Sequence, residues 1–305
     1  MPGVVLHSGT TLRCVLRRAA LLCLPLAALG ACSPTAGVHN PLVVNPLQYR
    51  DDIALNRLQL QVTNGLDEQL PLAAVQLRWA GFNSVVTKFD AVIAVGQRVD
   101  LPVEMDAAQC EIDGTTIGPP PDIDDAEAVF TLTDGTTRNA DLIDSDDTLG
   151  ALFAAICQSA MVSQQVTLEV VGVRQSNLDD RPITLATLRL SRRAASGSVT
   201  VSSTGNTVPF TLVFPDQAAG EPLVALTSDA IAAEVPVQFL EGRCDAHAVA
   251  ETKQPFRFVM QVHLGEEPVV AYVVEPPTHV QLDMLATAAA GCATLGADGS
   301  LGGSG

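Results

Sequence analysis

The sequence predicts an all-β chain: two tandem β-sandwich domains arising from an internal duplication. Three observations carry this. Apolar residues alternate with period two in both halves, one segment recurs with the same internal spacing, and four cysteines fall two to each half.

The N-terminus is set apart from these domains. Residues 1–31 carry Arg13, Arg17 and Arg18, no acidic residue, and an apolar run from Ala19 to Ala31. A charged start, a short apolar stretch and small residues before a cut site form a secretory signal peptide. The run is shorter than the ~20 apolar residues a spanning helix needs. Its end, Leu29-Gly30-Ala31-Cys32, resembles the lipobox of bacterial lipoproteins. That resemblance implies cleavage after Ala31 and lipidation of the Cys32 thiol, often with acylation of the new amino end. Such acyl chains, palmitate among them, would hold the protein on the outer face of the cytoplasmic membrane. Residues 33–51, with Pro34, Pro41 and Pro46, read as the tether from lipid to fold.

Composition narrows the partners. The whole chain has a formal charge of −17. Loss of residues 1–31 leaves 14 Lys+Arg against 34 Asp+Glu, a charge of −20. So negative a surface argues against nucleic acid and against broad contact with anionic lipid headgroups. Few aromatics beside many Val, Leu, Ala and Thr suit small β-domains.

The duplication is read from two matches. Leu101-Pro102-Val103-Glu104-Met105 leads to Gln109-Cys110-Glu111, and Val235-Pro236-Val237-Gln238-Phe239 leads to Arg243-Cys244-Asp245 with the same Pro-to-Cys spacing. The second cysteines follow 47 residues on, at Cys157, and 48 residues on, at Cys292. Earlier, Leu66-Asp67-Glu68 before Val75-Gln76-Leu77 is matched with Leu178-Asp179-Asp180 before Leu188-Arg189-Leu190. Cys14 and Cys23 lie in the signal and Cys32 takes the lipid. Cys110, Cys157, Cys244 and Cys292 remain, and an even number in an exported chain implies two disulfides. Four cysteines allow three pairings, and duplication selects Cys110–Cys157 with Cys244–Cys292. The expected divisions are a signal peptide over 1–31, a lipidated tether over 32–51, sandwiches over 52–162 and 163–293, and a disordered tail over 294–305.

Individual strands follow from alternation. Leu58, Leu60 and Val62 share one face with Gln59 and Gln61 opposite, and Val75, Leu77 and Trp79 repeat the pattern. Phe130 and Leu132 turn at Asp134-Gly135. In the second half Phe210, Leu212 and Phe214 alternate. Phe256, Phe258, Met260, Val262 and Leu264 form the longest stripe, turning at Gly265-Glu266. Ala94-Val95-Gly96-Gln97-Arg98-Val99-Asp100-Leu101 resembles the turn and strand of bacterial immunoglobulin-like domains, which implies immunoglobulin-like sandwiches. The order Cys…Trp…Cys of true immunoglobulins is absent, since Trp79 precedes both cysteines. Asp147–Cys157 reads as a short helix with Asp147 as cap and Leu149, Leu152, Phe153 and Ile156 on one face.

Catalytic motifs are missing: there is no His-Glu-x-x-His, Gly-x-Ser-x-Gly, P-loop or dinucleotide fingerprint. No cofactor and no metal is expected. His39 lies in the tether, and His263 on a polar strand face. The pairs Met260/His263 and His279/Met284 lack the tight spacing of copper carriers. Asp122-x-Asp124 begins like a calcium loop, but no glycine follows at the sixth position and no spaced glutamate closes it. Cys110 to Phe130 is 20 residues where Cys244 to Phe256 is 12. The eight-residue excess falls within Ile112–Glu127, beside Asp122, Asp124, Asp125 and Glu127. Two readings stand: a tolerated surface insertion, or a loop that contacts a basic partner. The function expected is that of a non-catalytic envelope lipoprotein binding a protein or cell-wall partner. The alternatives are a solute-binding lipoprotein of a transport system and an envelope enzyme with an unrecognised site.

Overall fold

A computed structural model describes residues 42–54 and 57–297. Strand β1 (Leu42–Leu47), helix α1 (Arg50–Ala54), strands β2 (Arg57–Asn64), β3 (Leu70–Arg78), β4 (Val86–Ile93), β5 (Arg98–Glu104), the short pair β6 (Ile112–Asp113) and β7 (Thr116–Ile117), then β8 (Glu127–Leu132) and β9 (Thr137–Asp141) make the first half. Helix α2 (Thr148–Gln165) runs straight into β10 (Val166–Leu178). There follow β11 (Arg181–Arg192), β12 (Val199–Thr204), β13 (Phe210–Val213), β14 (Val224–Leu226), β15 (Ala232–Glu241), α3 (Ala246–Glu251), β16 (Phe258–Leu264), β17 (Val270–Val274) and α4 (Thr278–Ala297).

Each half is a sandwich of antiparallel sheets. The first lays β1-β2-β5 against β4-β3-β8-β9, and the second lays β10-β11-β15-β13 against β14-β12-β16-β17. In immunoglobulin lettering the first sheets take the places A-B-E and C′-C-F-G. Alternation places the cores. Leu58, Leu60 and Val62 are wholly buried in the first, and Phe258, Met260 and Val262 in the second. In β3 a bulge between Leu72 and Ala74 shifts the phase, so Leu70 and Leu72 are buried before it and Val75, Leu77 and Trp79 after it. Gln59 departs from its expected polar face: it is buried under α1, where its amide donates to Asp52 Oδ1 at 2.7 Å.

The strand orders make the duplication visible and correct its register. By position in the sheets, β1 corresponds to β10, β2 to β11, β3 to β12, β4 to β14, β5 to β15, β8 to β16 and β9 to β17. Each disulfide joins the segment after β5 or β15 to the helix that follows the last strand of its sandwich, α2 in Cys110–Cys157 and α4 in Cys244–Cys292. The match of Leu66-Asp67-Glu68 with Leu178-Asp179-Asp180 does not hold. The first is the β2–β3 connection, the second the β10–β11 connection, one hairpin earlier in its sandwich.

The same register corrects the boundaries. The first sandwich begins with β1 inside the expected tether, and Val44 in it is wholly buried. Pro46 misleads in the sequence. It is tolerated because β1 is an edge strand, where a missing N–H breaks no ladder. At the other end, residues 294–297 belong to α4 rather than to a tail. Gly291 lets α4 lie close to β15 and the start of β11: a Cβ there would sit 2.9 Å from Glu241 Oε2 and 3.2 Å from Pro182 O. Residues 1–31 and Cys32 lie outside the described residues.

Helix α2 is longer than expected and capped differently. Asp147 has a left-handed backbone (φ 54°) and its side chain caps nothing. Asp144 does the capping, accepting from the Thr148 and Leu149 N–H groups at 2.7 Å each. Leu149, Phe153 and Cys157 enter the first core, and Met161 and Val162 one turn on enter the second. The two sandwiches are therefore joined by a packed helix, not by a linker. Among the described residues no helix is long and apolar enough to cross a membrane.

Candidate functional site

The expected acidic loop is largely structural. Glu127 opens β8 and pairs with Arg78 at 3.2 Å, while Asn139 Nδ2 donates to its other oxygen at 2.8 Å. Asp122 caps a short 3-10 turn by accepting from Asp124 N at 3.1 Å, and its carbonyl accepts from Trp79 Nε1 at 3.0 Å. Only Asp124 and Asp125 are left as exposed carboxylates without such a role. Among the described residues no group of three His, Cys, Asp or Glu could hold a metal ion.

The supposed excess also shrinks. The hairpins' ladders close at Thr131↔Thr137 and Val262↔Val270, which lie 21 residues after Cys110 and 18 after Cys244. The eight-residue count compared unlike positions: Phe130 lies inside β8 near its turn, whereas Phe256 precedes β16. The part between Cys110 and the 3-10 turn is the β6–β7 hairpin, and it docks on the second sandwich. Ile112 and Ile117 pack against the second core. Gln165 Nε2 donates to Gly114 O at 2.9 Å, and Thr115 Oγ1 donates to Glu267 Oε1 at 3.3 Å. Shortening this loop would therefore uncover apolar surface and would not leave the fold untouched.

A different site emerges at the corresponding end of the second sandwich. The loop from β12 to β13, the segment from Arg243 through α3 to Arg257, and α1 of the first sandwich enclose a half-open cleft of about 550 Å³. Gln254 Nε2 donates to Arg50 O at 3.0 Å and fixes α1 against this segment. Gly242 permits the close turn at its wall: its N–H donates to Pro209 O at 2.9 Å, and a Cβ would meet Val208 O at 2.5 Å. Arg50, Arg243, Lys253 and Arg257 line the cleft with Glu251 as the one acidic member. Three of these cations are held by surface pairs: Arg243–Asp245 at 2.9 Å, Arg257–Glu275 at 3.2 Å and Lys253–Asp51 at 3.7 Å. Such exposed pairs contribute about 0–1 kcal/mol each, so an entering anion can exchange with them.

Sequence reasoning missed this cleft. Its four cations come from three separated stretches, and only the contrast with the acidic remainder could have drawn attention to Arg243, Lys253 and Arg257. No protein-family profile matches the chain, and neither does any curated protein. Among solved structures, one titled "Biofilm associated protein - BSP domain" aligns at 8% identity over 76% of this chain with a TM-score of 0.20. The chain spans 58% of that structure's length. A likeness so distant carries no argument about function.

Proposed function

We propose that this chain is a lipid-anchored envelope lipoprotein, held through Cys32, whose two joined sandwiches bind an envelope macromolecule without catalysing a reaction. The observation that carries the binding part is the cleft. Four of the 14 basic residues beyond position 31 gather around one 550 Å³ opening in a chain otherwise dominated by carboxylates. The partner chemistry that suits it is a polymer bearing carboxylate or phosphate groups, since guanidinium forks match those anions in pairs. The packed α2 and the docked β6–β7 hairpin present this cleft on a rigid support, which lowers the ordering cost of binding.

The test has two arms. In cells, Cys32→Ala should abolish lipidation and release the protein from membranes; a mature end elsewhere than Cys32 would end the anchor reading. In solution, the chain should bind polyphosphate or polyglutamate, more weakly as salt rises. The Arg50→Gln/Lys253→Gln variant should lose most of that binding. Binding unaffected by these substitutions would remove the cleft from the account.

A further inference from the structure

We propose that the pocket beside the second disulfide receives the apolar part of an amphiphilic anion whose charged head rests on Arg243. The inference rests on the cleft being the ligand site and adds an apolar subsite to it.

The starting point is a difference between equivalent helices. Four residues before the helical cysteine stands Phe153 in α2 and Ala288 in α4. Phe153 is buried, with ring centroids 5.8 Å from Trp79 and 6.4 Å from Phe82. This aromatic trio fills the space beside Cys110–Cys157, where Cys157 has no exposed surface. Helix α4 contains no Phe, Trp or Tyr. Between α3 and α4 a pocket of about 250 Å³ is left, lined by Val249, Leu285, Ala288 and the Cys244–Cys292 bridge.

Arg243 is the one charged residue lining this pocket, and it also lines the 550 Å³ cleft. The two openings therefore meet at a guanidinium. An apolar cavity of about 150 Å³ is enough to take benzene, so this one has room for an aromatic ring or a short acyl chain. A purely polar anion gains nothing from the pocket, and a neutral apolar molecule gains nothing from Arg243. An amphiphilic carboxylate or phosphate uses both.

The test titrates the intact chain with octanoate, using octanamide as the neutral twin and acetate as the head alone. Octanoate should bind at least about tenfold more tightly than either. Ala288→Phe, which copies the sister helix, should weaken octanoate by about tenfold or more while leaving polyphosphate binding in the cleft unchanged. Arg243→Gln should bring octanoate down to the level of octanamide without lowering thermal stability. Equal binding of octanoate and octanamide in the wild type would overturn the role of Arg243. Should Ala288→Phe misfold, Ala288→Leu, a smaller filling of the same space, must still weaken octanoate. Undiminished octanoate binding in the folded variant would overturn the pocket while leaving the cleft reading intact. Loss of polyphosphate binding in Arg50→Gln/Lys253→Gln tests the cleft separately.

Discussion

The two sandwiches share a strand order, apart from the extra edge strand β13 of the second, and a disulfide placement, yet treat the space around the disulfide in opposite ways. The first fills it: Trp79, Phe82 and Phe153 pack together, Cys157 is buried, and the β6–β7 hairpin leaves toward the neighbouring sandwich. The second leaves it open: Ala288 replaces the ring, α3 stands off from α4, and Cys244 remains exposed. One copy of the scaffold has been committed to joining the pair, and the other is left with cavities. A rigid joint with one unfilled end is a sound way to hold a ligand site, because the support does not have to order on binding.

The largest expected effects concern the disulfides. Their loops are nearly equal, 47 and 48 residues, so chain entropy predicts about 4 kcal/mol from each. Replacing Cys110 and Cys157 together with serine should lower stability by about that amount in urea unfolding. Access separates the two bridges. Low concentrations of reductant should open Cys244–Cys292 first, read by differential alkylation and peptide mapping. The opposite order would break the contrast between a filled and an open end. Next in size is Phe153→Ala, expected to cost about 3 kcal/mol through lost transfer energy and a new cavity. Ala288→Phe in the sister helix should not destabilise, since it enters existing space. Comparable losses from both would show that the second pocket is not free volume.

How much of this was legible follows from which signals are local. Period-two stripes such as Phe256 to Leu264 and the Pro-to-Cys spacing are local, and they led to the sandwiches and to the disulfides. Strand β1 was hidden by Pro46, whose tolerance depends on edge position, a tertiary fact. Helix α4 was hidden because it lacks polar contrast: Met284 is buried while Leu282 on the same helix is 79% exposed, among alanines and threonines. The misplaced repeat match arose from two Leu-Asp-acid turns that look alike but close different hairpins. The cleft was illegible because Arg50 lies nearly 200 positions before Arg243, and only the joint between the sandwiches brings them together.

That joint makes a smaller prediction. Ile117 is half-buried and touches both cores, so Ile117→Ser should cost about 1 kcal/mol. The loss should be concentrated at the contact. Amide exchange should quicken in the last turns of α2, around Met161 and Val162, and not in β2 or β16. Uniform quickening would mean that the hairpin stabilises the first sandwich alone and does not clasp the second.

The smallest effect distinguishes the two equivalent hairpins. In β8–β9, Asp134 Oδ1 accepts from Thr136 Oγ1 at 2.7 Å and from Thr136 N at 2.9 Å. These bonds to the charged form, the hydroxyl's first, hold its pKa below the ordinary 3.8. A depressed folded-state pKa contributes stability that is present above the unfolded value and is lost as pH falls through the folded one. The corresponding turn between β16 and β17 has no such Asp–Thr pair. Its Glu267 instead accepts from Thr115 of the clasp. Thr136→Val removes the hydroxyl donor and keeps the backbone donor, so Asp134 should move only part of the way back toward its ordinary value. Carboxyl NMR titration of wild type and variant reads this directly. No movement would mean that the backbone N–H alone sets the shift, and full return would mean that the turn itself depends on the hydroxyl. Because Asp134 is fully exposed, the stability lost near neutral pH should be slight and should vanish below its folded-state pKa, and a large fall in the unfolding midpoint near neutral pH would expose an unrecognised dependence of the first sandwich on this turn.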